Sequence, residues 1–287
     1  MITTDFEYYC AQSITEAVDL FKQLSDSGIR PLFYNGGTEI ITLMRINSFY
    51  THVNAVIDIK RIPECSVLEM DEHDYLVIGA SVPLAEIEEN MAFPLLSKNC
   101  SRIADHTSRE KITLGGNVCG HIKYKEAILP LLLTNSTLVI ADEKGLHEVF
   151  IQDIFDKEII LEPGSFIVQF KIEKEFLSMP YINKKMTKID RIGYPLITVS
   201  AIQMKKEIRF AFSGLCETPF YSYEIDDILN NEENSIRKRI NAAIKQIPEP
   251  ILDDIEGSAS YRKFVLSNTL EEIMMKLNGG GGNEAIS

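Results

Sequence analysis

The sequence predicts a fold that mixes helices and strands, of the α/β or α+β class. Short apolar runs typical of buried strands alternate with segments of helical periodicity in the N-terminal part of the chain. Of the 287 residues, 45% are hydrophobic and 25% are charged, a globular composition with room for about two domains. A domain boundary is expected near residues 176–183, where the pattern changes to a small sheet followed by helices.

The N-terminal elements follow from helix-start signals and from the spacing of apolar residues. Ser13 and Glu16 form a capping box, so a helix begins there, and Gly28 ends it. Another helix is expected after Ser81, whose hydroxyl can cap it. Strands are predicted at 31–34, 54–59, 75–79, 137–141, 146–151 and 166–172. Further helices are predicted at 39–44, 95–106 and 125–133.

The C-terminal part is predicted to hold a β-hairpin and three helices. The hairpin joins 196–204 to 208–212 through the polar turn Lys205–Glu207. Helical periodicity predicts helices at 223–229, 233–246 and 258–277. The glycine-rich tail, residues 279–287, has little to pack and is expected to be disordered.

Charge and composition exclude several classes of function. The 29 Lys and Arg residues against 42 Asp and Glu residues give a net charge of −13, which repels nucleic acid and anionic lipid. The N-terminus lacks the basic and apolar regions of a secretory signal. The longest apolar run, residues 127–133, is too short to span a membrane. We therefore expect a soluble cytoplasmic protein.

No metal site and no catalytic side chain is predicted in this chain. The five cysteines include no CxxC pair and the five histidines no HxxxH pair, so a local zinc or iron–sulfur site is not supported. Cys119 could be a redox thiol, but free cysteine is more often a small buried hydrophobic residue. The sequence shows no arrangement of a nucleophile with a base.

Two loops with paired glycines are candidates for a phosphate-binding site. Tyr34–Glu39 follows a predicted strand and precedes a helix, and Thr113–Asn117 repeats this pattern. Glycines let the backbone approach a ligand, and a following helix start offers N–H groups and the positive end of a dipole. Each loop alone is more often an ordinary tight turn, because paired glycines are common in turns. Together, the two loops could clamp a diphosphate from both sides.

Two charged positions have two interpretations each. Glu126 lies at a predicted helix start, where the dipole favours a carboxylate, or it binds a ligand hydroxyl beside the second loop. The basic stretch Lys184–Lys188 is expected to be mostly a solvated edge, although one lysine could lie near an anionic ligand. The residues alone therefore lead to an α/β protein that could hold a phosphate-bearing ligand between two glycine loops.

Five segments in a fixed order carry a resemblance that covers nearly the whole chain, from about Phe6 to Leu277. They are Asn35–Glu39, Val56–Ile59 with Ile62–Glu64, Ile78–Ile87, Thr113–Asn117 and Ser258–Arg262. In this order they resemble the FAD-binding subunit of molybdenum hydroxylases, the family that includes xanthine dehydrogenase, nicotinate dehydrogenase and aerobic carbon monoxide dehydrogenase. Each segment alone is weak evidence, whereas the ordered set is specific.

The resemblance implies an α+β fold in which two α/β subdomains hold FAD. These subdomains, of the vanillyl-alcohol-oxidase type, would occupy residues 1–176, divided roughly into 1–55 and 56–176. A C-terminal α+β domain of the carbon monoxide dehydrogenase flavoprotein type would follow at 177–278, with a small antiparallel sheet and helices. Both parts agree with the elements predicted from the residues.

The resemblance also implies which residues contact FAD. The first loop with its flanks would wrap the pyrophosphate, the second loop would form the opposite clamp, and three further residues would lie near the flavin nucleotide. These cofactor-binding residues are, in turn, Phe33, Tyr34, Asn35, Gly36, Gly37, Thr38, Glu39 and Ile40; Thr113, Gly115, Gly116 and Asn117; and Glu126, Ile167 and Lys185. The chain departs from the family at Asn35, where alanine is usual, at Arg109–Lys111, and at Glu126, where the segment is one residue longer.

The implied activity is electron transfer by an FAD-dependent, xanthine dehydrogenase-like oxidoreductase subunit that is inactive alone on the organic substrate. A large partner subunit with the molybdenum cofactor would hydroxylate that substrate, and iron–sulfur clusters in a small partner subunit would carry the electrons to FAD. Reduced FAD would then pass a hydride to NAD⁺ or another acceptor. The lack of a cluster-binding motif in the sequence agrees with a separate flavin subunit.

Two alternatives remain open. The first is a stand-alone flavin reductase of the muramate-reductase type, although Lys111–Leu114 does not match the Pro-Gly-Thr-x-Gly-Gly loop of that family. The second is a scaffold subunit that has lost FAD, which the departures at Asn35 and Glu126 motivate.

Overall fold

The computed structural model describes residues 5–46, 50, 52–188, 193–205 and 207–278. The chain divides into two compact units. The first unit consists of Met1–Asn90, His106–Ile122 and Asn135–Lys174, and the second unit of Met91–Asp105, Lys123–Thr134 and Glu175–Ser287. The tail predicted to be disordered, residues 279–287, lies outside the described residues, as does Lys206 of the predicted hairpin turn.

The described residues form fourteen strands and eleven α-helices. The strands are β1 Glu7–Cys10, β2 Pro31–Tyr34, β3 Ala55–Asp58, β4 Leu68–Met70, β5 Tyr75–Gly79, β6 Thr137–Asp142, β7 Gly145–Phe150, β8 Phe155–Asp156, β9 Glu158–Ile159, β10 Phe166–Glu173, β11 Tyr181–Thr187, β12 Pro195–Met204, β13 Glu207–Ser213 and β14 Phe220–Tyr221. The helices are α1 Ile14–Asp26, α2 Thr38–Ile46, α3 Leu84–Asn90, α4 Pro94–Cys100, α5 His106–Arg109, α6 Leu114–Cys119, α7 Ile128–Leu133, α8 Ile151–Ile154, α9 Tyr223–Asn230, α10 Ile236–Ile244 and α11 Ala259–Asn278. None of these helices is long and apolar enough to cross a membrane.

A parallel sheet in the first unit has the strand order β1-β3-β2. Its central strand β3 is buried throughout. Successive side chains of a strand point to opposite faces, and helices cover both faces of this sheet. Ala55 and Ile57 pack in a cluster with Ala17 of α1, whereas Val56 packs in another cluster with Met44 of α2. The continuous apolar run that predicted this strand is therefore explained by its burial on two sides.

An antiparallel sheet of five strands completes most of the first unit, in the order β4-β5-β10-β6-β7. Phe166 and Val168 of β10 and Val139 of β6 belong to the same hydrophobic cluster as residues of α1 and β3. The two sheets of this unit therefore share one core, and α1 contacts strands of both.

An antiparallel sheet of four strands, in the order β11-β12-β13-β14, forms the second unit together with α4, α7, α9, α10 and α11. Phe210 and Phe212 of β13 are fully buried among residues of α11 such as Leu266 and Ile273. The hairpin β12–β13 was predicted from the sequence and is confirmed, as is the mixed helix and strand class of the whole fold.

One buried cation fixes α11 to this sheet. The Arg262 side chain is fully buried, and its Nη1 donates to the carbonyl oxygens of Leu196 and Gly214. Its Nη2 donates to Asp254 Oδ1 at 2.5 Å. A buried guanidinium must be paired. These contacts therefore fix the first turn of α11 against the sheet.

Two helices differ from the prediction. The helix expected after Ser81 begins only at Leu84, and Ser81 Oγ is buried without a hydrogen-bond partner among the described residues. The helix expected at 95–106 is divided into α4 and α5. Ala104 between them has a φ of 50°, a left-handed conformation that an α-helix cannot contain.

The ends of two regions also differ from the sequence expectation. Strand β3 begins at Ala55 and pairs with β1 and β2 as far as Asp58, so the expected subdomain limit at residue 55 falls inside the first sheet. Strand β11 was not predicted, and it contains most of the basic stretch Lys184–Lys188. The wider domain limits stay a prediction.

Candidate functional site

The two glycine loops lie against each other in the first unit. A Cβ built on Gly36 would come within 2.2 Å of the Lys111 carbonyl oxygen and 3.1 Å of the Thr113 nitrogen. Asn35 adds a polar link, because its Nδ2 donates to the Ala80 carbonyl at 2.9 Å. Only glycine fits at residue 36, so the sequence positions the first loop directly beside the start of the second.

Gly37 is required for a different reason. Its φ is +69°, and a Cβ there would lie 2.0 Å from the Tyr34 hydroxyl. The Tyr34 ring therefore folds back over its own loop. Burial raises the pKa of Tyr34 above its ordinary value, and the nearby Asp58 carboxylate adds to that shift.

A charged cluster supports the first loop from the end of β3. The side chain of Asp58 is only 5% exposed. It accepts a hydrogen bond from the Tyr8 hydroxyl at 2.5 Å, which raises the pKa of Tyr8, and one from Lys60 Nζ at 2.6 Å. Lys60 Nζ also donates to the Asn35 carbonyl at 3.0 Å and lies 4.7 Å from the centroid of the Tyr34 ring. A cation thus lies at the main chain of the predicted phosphate loop.

Glu39 connects the start of α2 to the segment that follows α6. Its two carboxylate oxygens accept from the N–H groups of His121 at 2.6 Å and Ile122 at 2.8 Å. The preceding residue, Thr38, is the first of the nine residues of α2. Burial raises the pKa of Tyr50 to about 12, and the Glu39 carboxylate contributes to this. The Glu39 side chain is therefore committed to two main-chain groups of the protein.

The first main-chain N–H groups of the second loop donate hydrogen bonds to other atoms of the protein. Thr113 caps α6, with its Oγ1 accepting from the Gly116 N–H at 3.2 Å. The Leu114 N–H donates to a carbonyl of Val82 at 3.0 Å, and the Gly115 N–H to that of Ala80 at 2.9 Å. The expectation that these three amides are open to an anion is therefore wrong. Gly115 is glycine because a Cβ would meet Ala80 at 2.8 Å.

Three predicted contact residues have side chains in or against the hydrophobic core. The ring of Phe33 lies 4.9 Å from that of Phe21 and 4.6 Å from that of Phe166, measured between centroids. Ile167 is 3% exposed, and Ile40 packs against the cluster that includes Met44 and Val56. Ile167 can therefore contribute little more than main-chain atoms to a ligand, whereas Phe33 and Ile40 are only partly buried.

Glu126 and Lys185 form a buried ion pair in the second unit. Lys185 Nζ donates to Glu126 Oε2 at 2.7 Å and to the Arg102 carbonyl at 2.7 Å, and Thr198 Oγ1 donates to Glu126 Oε1 at 2.7 Å. Burial raises the pKa of Glu126, and the Lys185 ammonium opposes that shift. The prediction of a solvated edge is wrong for Lys185, whereas Lys184 forms a partly exposed ion pair with Glu272 at 3.1 Å.

The structure thus brings together the two loops in the first unit, and Glu126 with Lys185 in the second. The first loop keeps one unpaired polar atom, since Asn35 Oδ1 is buried and has no hydrogen-bond partner among the described residues. A main chain without Cβ atoms at Gly36 and Gly37, the start of α2 and the Lys60 ammonium together suit an anionic ligand such as a pyrophosphate.

The five cysteines differ in exposure, and Cys65, Cys100 and Cys216 are the buried ones. Cys119 is exposed, so the prediction that it is buried is wrong. Burial raises the pKa values of Cys65 and Cys216 to about 12, which keeps both as thiols.

Sequence reasoning missed the cluster of Tyr8, Asp58 and Lys60. The signal was present, because an acidic residue that ends a fully apolar strand is unusual and a lysine follows two residues later. The sequence did not show that β2 pairs with β3. This pairing places Asn35, directly after β2, where its carbonyl accepts a hydrogen bond from Lys60.

Comparison with known proteins gives a consistent result. Residues 4–173 match the family model described as the FAD binding domain in molybdopterin dehydrogenase. The nicotinate dehydrogenase FAD-subunit of Eubacterium barkeri is 26% identical over 158 residues, which cover 54% of this chain and 52% of that relative. The xanthine dehydrogenase FAD-binding subunit of Escherichia coli O157:H7 is 23% identical over 267 residues, 89% of this chain and 88% of that relative. The chain therefore spans about half of the first relative and most of the second.

Solved structures share the fold over nearly the full length. A chain of carbon monoxide dehydrogenase from Hydrogenophaga pseudoflava superposes with a TM-score of 0.80 at 22% identity, covering 96% of this chain and 97% of that one. A chain of quinoline 2-oxidoreductase from Pseudomonas putida 86 gives a TM-score of 0.79 at 19% identity, and the match covers 98% of this chain and 99% of that one. At these identities the similarity establishes the fold.

Proposed function

Because the chain belongs to the family described as the FAD binding domain in molybdopterin dehydrogenase, we propose that it is the flavin electron-transfer subunit of a molybdenum hydroxylase complex. Its FAD would take electrons from iron–sulfur clusters on a small partner subunit and pass them to NAD⁺ or another acceptor. A large partner subunit would carry the molybdenum cofactor and hydroxylate an aromatic heterocycle of the purine or nicotinate kind. The names of the relatives support this xanthine dehydrogenase-like assignment.

The meeting of the two glycine loops at Gly36 is the observation that carries this proposal. FAD supplies a ring system that accepts electrons singly or in pairs, and the protein has to hold its charged pyrophosphate. Gly36 and Gly37 leave the main chain open to close approach, and the start of α2 provides a positive dipole end. Lys60 adds a full positive charge beside Asn35.

The remaining predicted residues would take part in different ways. The second loop would fix the position of the first, and the side chain of Asn117 would reach the cofactor. Glu126 and Lys185 are proposed to lie near the flavin nucleotide as a pair whose charges compensate each other. We retain residues 1–176 as the proposed FAD-binding part of the sequence and 177–278 as the C-terminal part, a division that the family match to residues 4–173 supports. In the fold, the segments 91–105 and 123–134 of the first part pack in the second compact unit.

The direct test is an absorbance spectrum of the purified full chain, with the released cofactor identified by its mass. We expect about one FAD per chain, and about tenfold weaker retention of FAD in Gly36→Ala, because the new methyl group would displace the Lys111 carbonyl. Gly28→Asn is the matched control. Gly28 has a φ of +78°, which asparagine tolerates, and no atom lies within 4 Å of a Cβ there.

Two outcomes would overturn the proposal. The first is a chain that is colourless and fails to bind added FAD, both alone and with the subunits that co-purify with it, which would leave a scaffold. The second is reduction of an enolpyruvyl sugar nucleotide by NADPH with the isolated chain, which would identify a stand-alone reductase.

A further inference from the structure

A cavity of about 290 Å³ opens in the second unit between β13, β14 and α9. None of the residues proposed to hold FAD lines it. Glu207, Tyr223 and Asp227 are exposed at its rim, whereas Asp226 lies deep in it and is only 7% exposed. Nothing in the proposed electron transfer uses this cavity, so its chemistry needs a separate explanation.

Two buried oxygen atoms in the cavity form no hydrogen bond of normal geometry. Asp226 Oδ1 accepts from the Phe210 N–H at 2.9 Å, which fixes the orientation of the carboxylate. Asp226 Oδ2 and the Tyr221 hydroxyl are both buried, and neither forms a hydrogen bond of normal geometry among the described residues. The two groups are near each other, since the Tyr221 hydroxyl lowers the pKa of Asp226 against the effect of burial. An unpaired buried carboxylate oxygen is costly, so the cavity is suited to a group that donates hydrogen bonds.

The charge of the lining selects the sign of that group. Glu207, Asp226 and Asp227 contribute three carboxylates against the single guanidinium of Arg209. Arg209 Nη1 is already committed to the Leu133 carbonyl at 2.9 Å. The chain as a whole carries −13, so an anion is repelled and a cation is attracted.

The aromatic side chains favour an organic cation over a bare metal ion. The rings of Tyr221 and Tyr223 meet edge to face, with centroids 4.9 Å apart and planes at 78°. Aromatic faces attract ammonium and guanidinium groups. A hard metal ion instead needs converging oxygen ligands, and the carboxylates of Glu207, Asp226 and Asp227 do not bring their oxygens within 4.8 Å of one another.

We propose that this cavity binds a small organic cation with N–H donors, an alkylammonium or guanidinium compound, which donates to Asp226 Oδ2 beside the Tyr221 hydroxyl. A charge-assisted hydrogen bond of this kind is short and strong, and it satisfies the unpaired carboxylate oxygen. The volume is at the lower end of those found for small-molecule sites, roughly 300 Å³ and above, which limits the ligand to a small metabolite.

Binding depends on the ionisation of Asp226. Burial raises the pKa of Asp226 to about 7, with the Phe210 N–H acting against this shift. The charged and titratable groups that face it are Arg209 of β13, Tyr221 of β14 and Asp227 of α9. Since only the ionised carboxylate pairs with a cation, affinity rises as the pH increases through about 7.

The test uses methylguanidinium and butylammonium as probes of the full chain, by saturation-transfer NMR in phosphate buffer of constant ionic strength without amines. We expect binding of both probes at about pH 8 and several-fold weaker binding at about pH 6. Asp226→Asn should weaken binding at least about tenfold, because it keeps an oxygen for the Phe210 N–H and loses the charge. Asp19→Asn, at an exposed position of α1 that does not line the cavity, is the matched control and should change affinity by less than about twofold.

Tetramethylammonium distinguishes a built site from general attraction to an acidic surface, because it has the charge and no N–H donor. Equal binding of tetramethylammonium, or equal binding of methylguanidinium by Asp226→Asn, would overturn the proposal. Should Asp226→Asn fail to fold, Tyr221→Phe and a crystal structure with methylguanidinium decide the question. Density within hydrogen-bonding distance of Asp226 would support the site, and a cavity without density would refute it.

Discussion

Lys60 holds the first glycine loop through a single ammonium group. That group contacts Asp58 Oδ2 at 2.6 Å and the Asn35 carbonyl at 3.0 Å. The buried Asp58 carboxylate is further paired with the Tyr8 hydroxyl, so the three side chains form one network whose members depend on each other. The same ammonium adds positive charge where the proposed pyrophosphate would lie.

Lys60→Gln should raise the dissociation constant for FAD by about three- to tenfold. The expected loss is on the order of 1 kcal/mol, because the Lys60 side chain is 42% exposed and solvent screens its charge. Fluorescence titration of the flavin-free chain with FAD measures it, and the salt dependence of binding should weaken as well.

Lys22→Gln is the matched control for that experiment. It removes an exposed lysine whose partner is Glu143, at 2.7 Å, and should leave FAD affinity and its salt dependence unchanged. An equal effect of both substitutions would show that Lys60 acts only through the general charge of the chain.

Single residues could be predicted where the signal is local. The glycine pair Gly36–Gly37 could be recognised because adjacent glycines mark an unusual main chain. The ion pair of Glu126 with Lys185 could not, since the two residues are 59 positions apart and charged side chains are seldom fully buried. Sequence periodicity carries no information about which distant charge compensates which.

At the scale of elements, strands with a local sequence signal were predicted, whereas β11, which depends on contacts with distant residues, was not. The strands β2 and β5 were predicted with their exact limits, because each is a short apolar run between turn residues. Strand β11 carries Asn183 and Lys185 among its buried residues. Its polar groups are satisfied by side chains of other segments, including Ser200 and Glu126, so it lacks the apolar alternation of a half-buried strand.

Arg262→Met should lower the free energy of unfolding by about 3–5 kcal/mol. Methionine has a similar length, but it leaves the carbonyl oxygens of Leu196 and Gly214 and the Asp254 carboxylate without the donors that now satisfy them. Urea denaturation of the full chain measures the change.

Arg237→Met on α10 is the control for that variant. Its guanidinium is 85% exposed beside Glu271, so the expected change is within about 0.5 kcal/mol. Similar losses in the two variants would mean that the buried contacts of Arg262 do not hold α11 in place.

At the scale of the whole molecule, the alternation of strand and helix patterns predicted the fold class, and the ordered set of motifs identified the family. The match to residues 4–173 and the full-length superposition on carbon monoxide dehydrogenase agree with that reading. The assignment of chain segments to the two compact units could not be predicted from the sequence. The sequence suggests one boundary near residue 176, whereas each compact unit is assembled from three separate segments. Local signals cannot show that the short segments 91–105 and 123–134 pack with residues far along the chain.

Because the segments of the two units alternate along the chain, the arrangement determines which fragments can fold alone and which can be exchanged between relatives. A fragment of residues 1–176 would carry α7, whose six residues are all buried, without β12, β13 and β14, on which that helix packs. We expect the fragment to aggregate or to bind a hydrophobic dye, while the full chain does neither; a stable fragment that retains FAD would contradict this. Likewise, a chimera of two relatives joined at a single point between residues 91 and 174 would assemble each compact unit from two different parents. An exchange that keeps each unit intact needs several matched junctions.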